Sequence, residues 1–143
     1  MPALRNYGVY ISHGWDWKEE YYRLVELLNK APLFNWTNYS IPEYDPIRTM
    51  VKKEEVEREL DRHIRPVDIV IVLSGMYADH SDWMQGEIRV ANKHDKPIVG
   101  VVPLGGHRVP PAIEEVALEI VDWNVKQIVD TIRKKALPYR TTG

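Results

Sequence analysis

VDIVIVLSGMYADHSDWMQGEIRVANKH, residues 67–94, contains a strand and the helix that follows it, and its reading decides the fold. Val67 to Ser74 is a nearly unbroken apolar run of strand length, rich in β-branched residues, as in a central parallel strand covered on both faces. Gly75 breaks the run. Ser81 then offers a side-chain oxygen as a helix N-cap, and Asp82 stands in the first turn, where the helix dipole favours negative charge. The helix is predicted to run to Asn92 or His94.

On a helical wheel of about 100° per residue, Trp83, Met84, Ile88, Val90 and Ala91 share one arc, and Glu87 falls inside it. Gln85, Arg89, Asn92 and Lys93 take the other side. A carboxylate therefore occupies a place where patterning asks for a hydrophobe. Burying it unpaired would cost several kcal/mol or neutralise it by raising its pKa. Two readings follow: a structural carboxylate satisfied by a backbone N–H, an Arg or water at the helix end, or a functional group lining a ligand cavity.

A chain of 143 residues is long enough for one full core and short for two, so residues 1–143 are expected to form a single domain with an ordered core from about 6 to 136. Hydrophobic residues at 44% and charged residues at 28% are a globular composition, and the net charge of -2 lacks the basic patch that nucleic acid demands. Without cysteine there is no disulfide, thiolate nucleophile or thiolate metal site. No stretch approaches a membrane span or a secretory leader. The expectation is a soluble, cytoplasmic protein with no membrane or nucleic-acid partner.

Outward from the central stretch, Tyr7 to Ser12 alternates and stops at Ser12-His13-Gly14, giving a first strand. Asp16 and Glu19 have capping-box spacing for a helix to Lys30, with Tyr21, Leu24 and Leu28 inward. Leu33 to Tyr39 resembles an edge strand with one polar face, and a loop containing Pro42 and Pro46 follows. Val56, Leu60 and Ile64 mark a charged helix from about Met50 to Arg65, ended by Pro66. Beyond the Glu87 helix come a buried strand from Pro97 to Pro103, a short helix from Pro110 to Ala117, and a strand from Leu118 to Trp123. A last helix to Lys135 is capped by Asn124 with Gln127. Strands alternating with helices imply a flavodoxin-like three-layer α/β/α fold with a five-stranded parallel sheet of order 2-1-3-4-5.

Ligands of such sheets bind beyond the carboxyl ends of the strands where strand order reverses, here between strands one and three. Ser12, His13 and Trp15 after the first strand, and Tyr77 with the turn into the Glu87 helix after the third, converge there. The chain has no GxGxxG after its first strand and no Walker lysine, which leaves dinucleotide-redox and P-loop sites unsupported. His13, His63, His80, His94 and His107 lack ligand spacing with acids, so no metal site is expected.

YGVYISHGWDW resembles the first box of TIR domains, and IVIVLSGMYADHSDWMQGE resembles their third strand and Ser-x-Trp-x-x-x-Glu motif, here Ser81, Trp83 and Glu87. The likeness covers about residues 6–130 and is closest to the small TIR-like family that includes the TIR subunit of Thoeris anti-phage systems. A loop like IPEYDPI after the second strand belongs to the same pattern. Two departures stand out: Met84 replaces the cysteine common after the motif tryptophan, and the loop lacks the Arg-Asp-x-x-Pro-Gly pattern.

The resemblance implies a TIR fold and, in the enzymatic branch, cleavage of the nicotinamide–ribose bond of NAD to give an ADP-ribose-type signal, linear, cyclic or conjugated. NAD is then substrate, with no cofactor. Glu87 matches the catalytic glutamate and Trp83 the motif tryptophan; Ser12 and His13 match the loop after the first strand, Tyr44 and Asp45 the BB loop. Trp15 or Tyr77 could stack on a base or nicotinamide ring. By its place on the helix, Trp83 reads first as a core residue that wedges the helix against the sheet, with a positional effect on function. The implied partners are NAD or a related nucleotide, further copies of the chain through TIR contacts, and a downstream effector that senses the product. Two alternatives stand beside this: a non-catalytic TIR interaction module, which tolerates Gln at position 87, and a nucleoside deoxyribosyltransferase-like enzyme that uses a glutamate at a sugar.

Overall fold

The computed structural model describes residues 4–12, 18–42, 52–74, 81–103 and 109–138. Its elements in chain order are β1 (Asn6–Ser12), α1 (Lys18–Lys30), β2 (Asn35–Asn38), α2 (Lys53–Ile64), β3 (Ile69–Leu73), α3 (Ser81–Lys93), β4 (Ile98–Val101), α4 (Pro111–Val116), β5 (Glu119–Val121) and α5 (Val125–Lys135). The strands form one sheet of order β2-β1-β3-β4-β5, and every pairing is parallel, as expected. Right-handed crossovers in that order put α2 and α3 on one face and α1 and α5 on the other, where each pair packs together.

The core follows the sequence pattern. All five residues of β3 and all four of β4 are buried, the condition of strands covered on both faces, whereas β2 at the sheet edge exposes most of its residues. Leu24 and Leu28 of α1 and Leu60 and Ile64 of α2 are closed off from solvent. Met84, Ile88 and Val90 seat α3 on the sheet, each contributing roughly 1.5–3 kcal/mol by burial. Asn124 caps α5 by accepting from the Gln127 N–H at 3.0 Å.

Several boundaries differ from the sequence expectation. Leu33 is in a turn after α1 with φ of 54° and 74% exposure, so β2 begins later than the apolar pattern suggests. Lys52, extended and without a side-chain cap, precedes α2, which starts at Lys53 rather than Met50. Pro97 and Pro103 flank β4 because neither has an N–H for the ladder, although the Pro97 carbonyl still accepts from Val70 N–H at 2.9 Å. Helix α3 begins at Ser81 itself; the capping expected of its side chain, like the opening of α1 at Asp16, lies outside the described residues.

Strand β1 outruns its edge neighbour. Pairing with β2 ends at Val9 opposite Asn38, and the Tyr39 N–H then donates to the Val9 carbonyl at 2.9 Å. The next donor on that edge, Ile11 N–H, is taken by the Ser40 hydroxyl at 2.9 Å. On its other side β1 remains paired with β3 through Ser12. Among the described residues, no helix is long and apolar enough to cross a membrane.

Candidate functional site around Glu87

Side chains alternate along a strand, so Tyr10 and Ser12 share one face of β1 while Val9 and Ile11 take the other. Helix α3 lies over the Tyr10 and Ser12 face and aims Glu87 at it. The Ser12 hydroxyl donates to Glu87 Oε1 at 2.6 Å, and the Tyr10 phenol donates to Oε2. All three side chains are closed from solvent: Tyr10 and Glu87 are each 1% exposed and Ser12 is fully buried. The residue that broke the wheel is thus buried and satisfied by two hydroxyls.

Burial pushes the Glu87 carboxyl up to about 8, against the two hydrogen bonds from Ser12 and Tyr10, which favour the anion. Among the described residues no Lys, Arg or His pairs with it, and charge from neighbours plays no part in the shift. At neutral pH the group is therefore mainly the acid. Hydroxyls suit either state, since each can donate to a carboxylate or turn and accept from a carboxylic acid.

The cluster sits at the carboxyl end of β1, next to the carboxyl end of β3, at the point where strand order reverses. There Ser74 turns its hydroxyl to the Val101 carbonyl at 3.1 Å, linking the ends of β3 and β4. Of the residues singled out from sequence, Ser12 and Glu87 are brought into contact. Trp83, one turn before Glu87, is half-buried and lines an open cleft of about 370 Å³ between α2 and α3 with Val56, Leu60 and Arg89. His13, Trp15, Tyr44, Asp45 and Tyr77 lie outside the described residues. A cavity of about 420 Å³ walled by Lys96, Ile98, Leu118 and Leu137 opens at the amino ends of β4 and β5, the opposite end of the sheet from Glu87.

Sequence reasoning missed Tyr10. The sequence carried only part of the signal: strand alternation puts Tyr10 on the face of Ser12, and a buried tyrosine needs a partner for its hydroxyl, but nothing in the pattern names Glu87 as that partner.

The comparison with protein families matches residues 10–107 to the model for the Thoeris protein ThsB, TIR-like domain. That span begins at Tyr10 and takes in Ser12, Trp83, Glu87 and the whole of β4. Among curated proteins nothing matches significantly. With well over half of its length matched and the flavodoxin-like sheet in place, the chain belongs to the family of the TIR-like domain of the Thoeris protein ThsB.

Proposed function

We propose that this protein is an NAD-processing TIR enzyme of anti-phage defence, which breaks the nicotinamide–ribose bond and makes an ADP-ribose-type signal. The observation that carries the reading is the Glu87 carboxyl, buried at the switch point of the sheet and held, among the described residues, by the hydroxyls of Tyr10 and Ser12. The likeness of Ser81, Trp83 and Glu87 to the TIR motif supports it.

In the reaction proposed, the C1′–N bond breaks and its electron pair stays on the nicotinamide nitrogen, which leaves neutral from a cationic ring. No general acid is needed for that departure. Positive charge spreads over the ribose, and the Glu87 carboxylate stabilises it in surroundings poor in water, where electrostatic attraction is strong. The ribose 2′- and 3′-hydroxyls are natural further donors to the two Glu87 oxygens, each of which has a lone pair beyond the one taken by Tyr10 or Ser12. A water oxygen then bonds to C1′ and releases a proton, giving ADP-ribose; a ring nitrogen or other hydroxyl at the same position gives a cyclic or conjugated product.

The test is nicotinamide release by the purified protein at high concentration, wild type beside Glu87→Gln, with products identified by mass and chromatography. Loss of a main electrostatic stabiliser is expected to slow release by about 10²–10³-fold or more, with the fold retained. The complete burial of Glu87 with both oxygens satisfied also suits a TIR module that acts by association alone. No release from either protein, even when assembled, would favour that second reading, and equal release from both would remove Glu87 from the chemistry.

A further inference from the structure

We infer that burial keeps Glu87 a neutral acid in the resting protein while the hydroxyls of Tyr10 and Ser12 form a cradle able to hold it in either charge state, and that entry of a ligand bearing a cationic ring converts it to the anion with release of one proton. The cradle half of this rests on the geometry alone; the ligand half rests on the proposed function, which supplies the oxidised nicotinamide dinucleotide with its cationic nicotinamide ring.

Three observations carry the argument. Glu87 is 1% exposed, so water does not solvate an anion there. Its two oxygens face two different hydroxyls, Ser12 on Oε1 and Tyr10 on Oε2, both delivered by one strand face. No fixed positive charge faces it from any packed element among the described residues. β1 brings Tyr10 as its titratable group, β3 is apolar over Ile69–Leu73, and the ionisable groups along the α2–α3 seam pair with one another, Glu57 with Arg89 and Asp61 with Lys93 and His94. Its elevated ionisation, near 8, agrees with that setting.

A guanidinium or ammonium in place of either hydroxyl would force the anion permanently. Hydroxyls do not, because each donates to the carboxylate and, turned about its C–O bond, accepts from the acid. The cradle thus holds Glu87 in one position through both charge states. A cation brought close to it in a site poor in water favours the anion strongly, and the acid proton leaves to solvent. The ligand class follows: a ring bearing positive charge at the glycosidic nitrogen is admitted with a charge match, whereas the reduced dinucleotide, whose nicotinamide ring is neutral, is not. Tyr10 is then a positioning residue, acting on substrate through Glu87.

The experiment has two arms on the full chain. In the first, side-chain carboxyl carbons of glutamate are followed by NMR from pH 4 to 10 without ligand, with Glu87→Gln identifying the resonance. The expected result is a titration near pH 8, moved higher in Tyr10→Phe and in Ser12→Ala because each removes a hydrogen bond that favours the anion. In the second, oxidised NAD is titrated at pH 7 in buffers of different ionisation enthalpy. Release of close to one proton per dinucleotide is expected, with none from Glu87→Gln and none with the reduced form. Tyr10→Phe should weaken apparent NAD affinity at pH 7 and regain it above pH 9, a rescue that a purely structural defect would not show.

A Glu87 titration in the ordinary carboxyl range overturns the cradle, whatever the enzyme activity. An elevated titration with NAD bound and no proton released overturns the coupling. An elevated titration with neither binding nor cleavage of NAD leaves the cradle supported and overturns the ligand named here together with the proposed function.

Discussion

Along the outer side of α3, Arg89 donates to Glu57 at 2.9 Å, and Lys93 with the neighbouring His94 reaches Asp61 at 3.2 and 2.6 Å; on the inner side, among the described residues, Glu87 meets the hydroxyls of Tyr10 and Ser12. The two sides move carboxyl groups in opposite directions. The hydrogen bond from His94, helped by Lys93, holds Asp61 below the ordinary carboxylate range, while burial lifts Glu87 to about 8. Outside, cations fix the charge and join two helices. Inside, neutral donors leave the charge open to change. The difference teaches that one helix carries two kinds of carboxyl partnership: the outer pairs add modestly to cohesion, whereas the anionic form of Glu87 works against the fold.

The largest test of that contrast is the stability of Glu87→Gln. The folded-state ionisation of Glu87, about 8, stands above the ordinary value of 4.5, so the folded protein binds this proton more tightly than the unfolded chain does. Its contribution is complete below about pH 4.5 and is lost as pH rises through 8. Glutamine has no proton to lose. The variant is therefore expected to match wild type near pH 5 and to exceed it by a few kcal/mol at pH 8.5–9. Urea unfolding across that window checks this; a gap of the same size at both ends would break the comparison.

Asp61→Asn sharpens it from the other side. Because the ionisation of Asp61 is depressed, its contribution is present above the ordinary 3.8 and is lost as pH falls through the lower folded value. A loss of about 0.2–1 kcal/mol at pH 7 is expected, shrinking toward zero in strong acid. A loss of several kcal/mol would mean that the seam is as costly to disturb as a buried site. The smallest effect belongs to Arg89→Ala, whose side chain is 55% exposed: about 0.5 kcal/mol or less by thermal unfolding, disappearing in roughly 1 M salt.

The inner side was largely legible from sequence because periodicity encodes it. The β-branched run over Ile69–Leu73 identified the central strand, and the one carboxylate on the apolar arc of the next helix identified Glu87. Ser12 followed from the rule for the carboxyl ends of parallel strands. Tyr10 was not legible as a partner, since whether a phenol oxygen reaches a carboxyl depends on side-chain length and on how α3 lies across β1. No local period records that. Turn geometry was similarly hidden at Leu33, where an apolar residue that reads as strand adopts a left-handed backbone. The start of α2 carried no capping residue to mark it.

Ser40 finishes the ladder where β2 runs out, by offering its hydroxyl to Ile11 N–H. An uncovered stretch of strand is an invitation to a foreign chain, which zips onto free N–H groups and seeds aggregation. Here the Val9 carbonyl is occupied by Tyr39 and the Ile11 N–H by Ser40, so these two groups beside the Glu87 cluster offer an intruding strand no partner. The hydroxyl thus serves as a selvedge, letting the strand that carries Tyr10 and Ser12 extend past its neighbour without fraying into a neighbouring molecule.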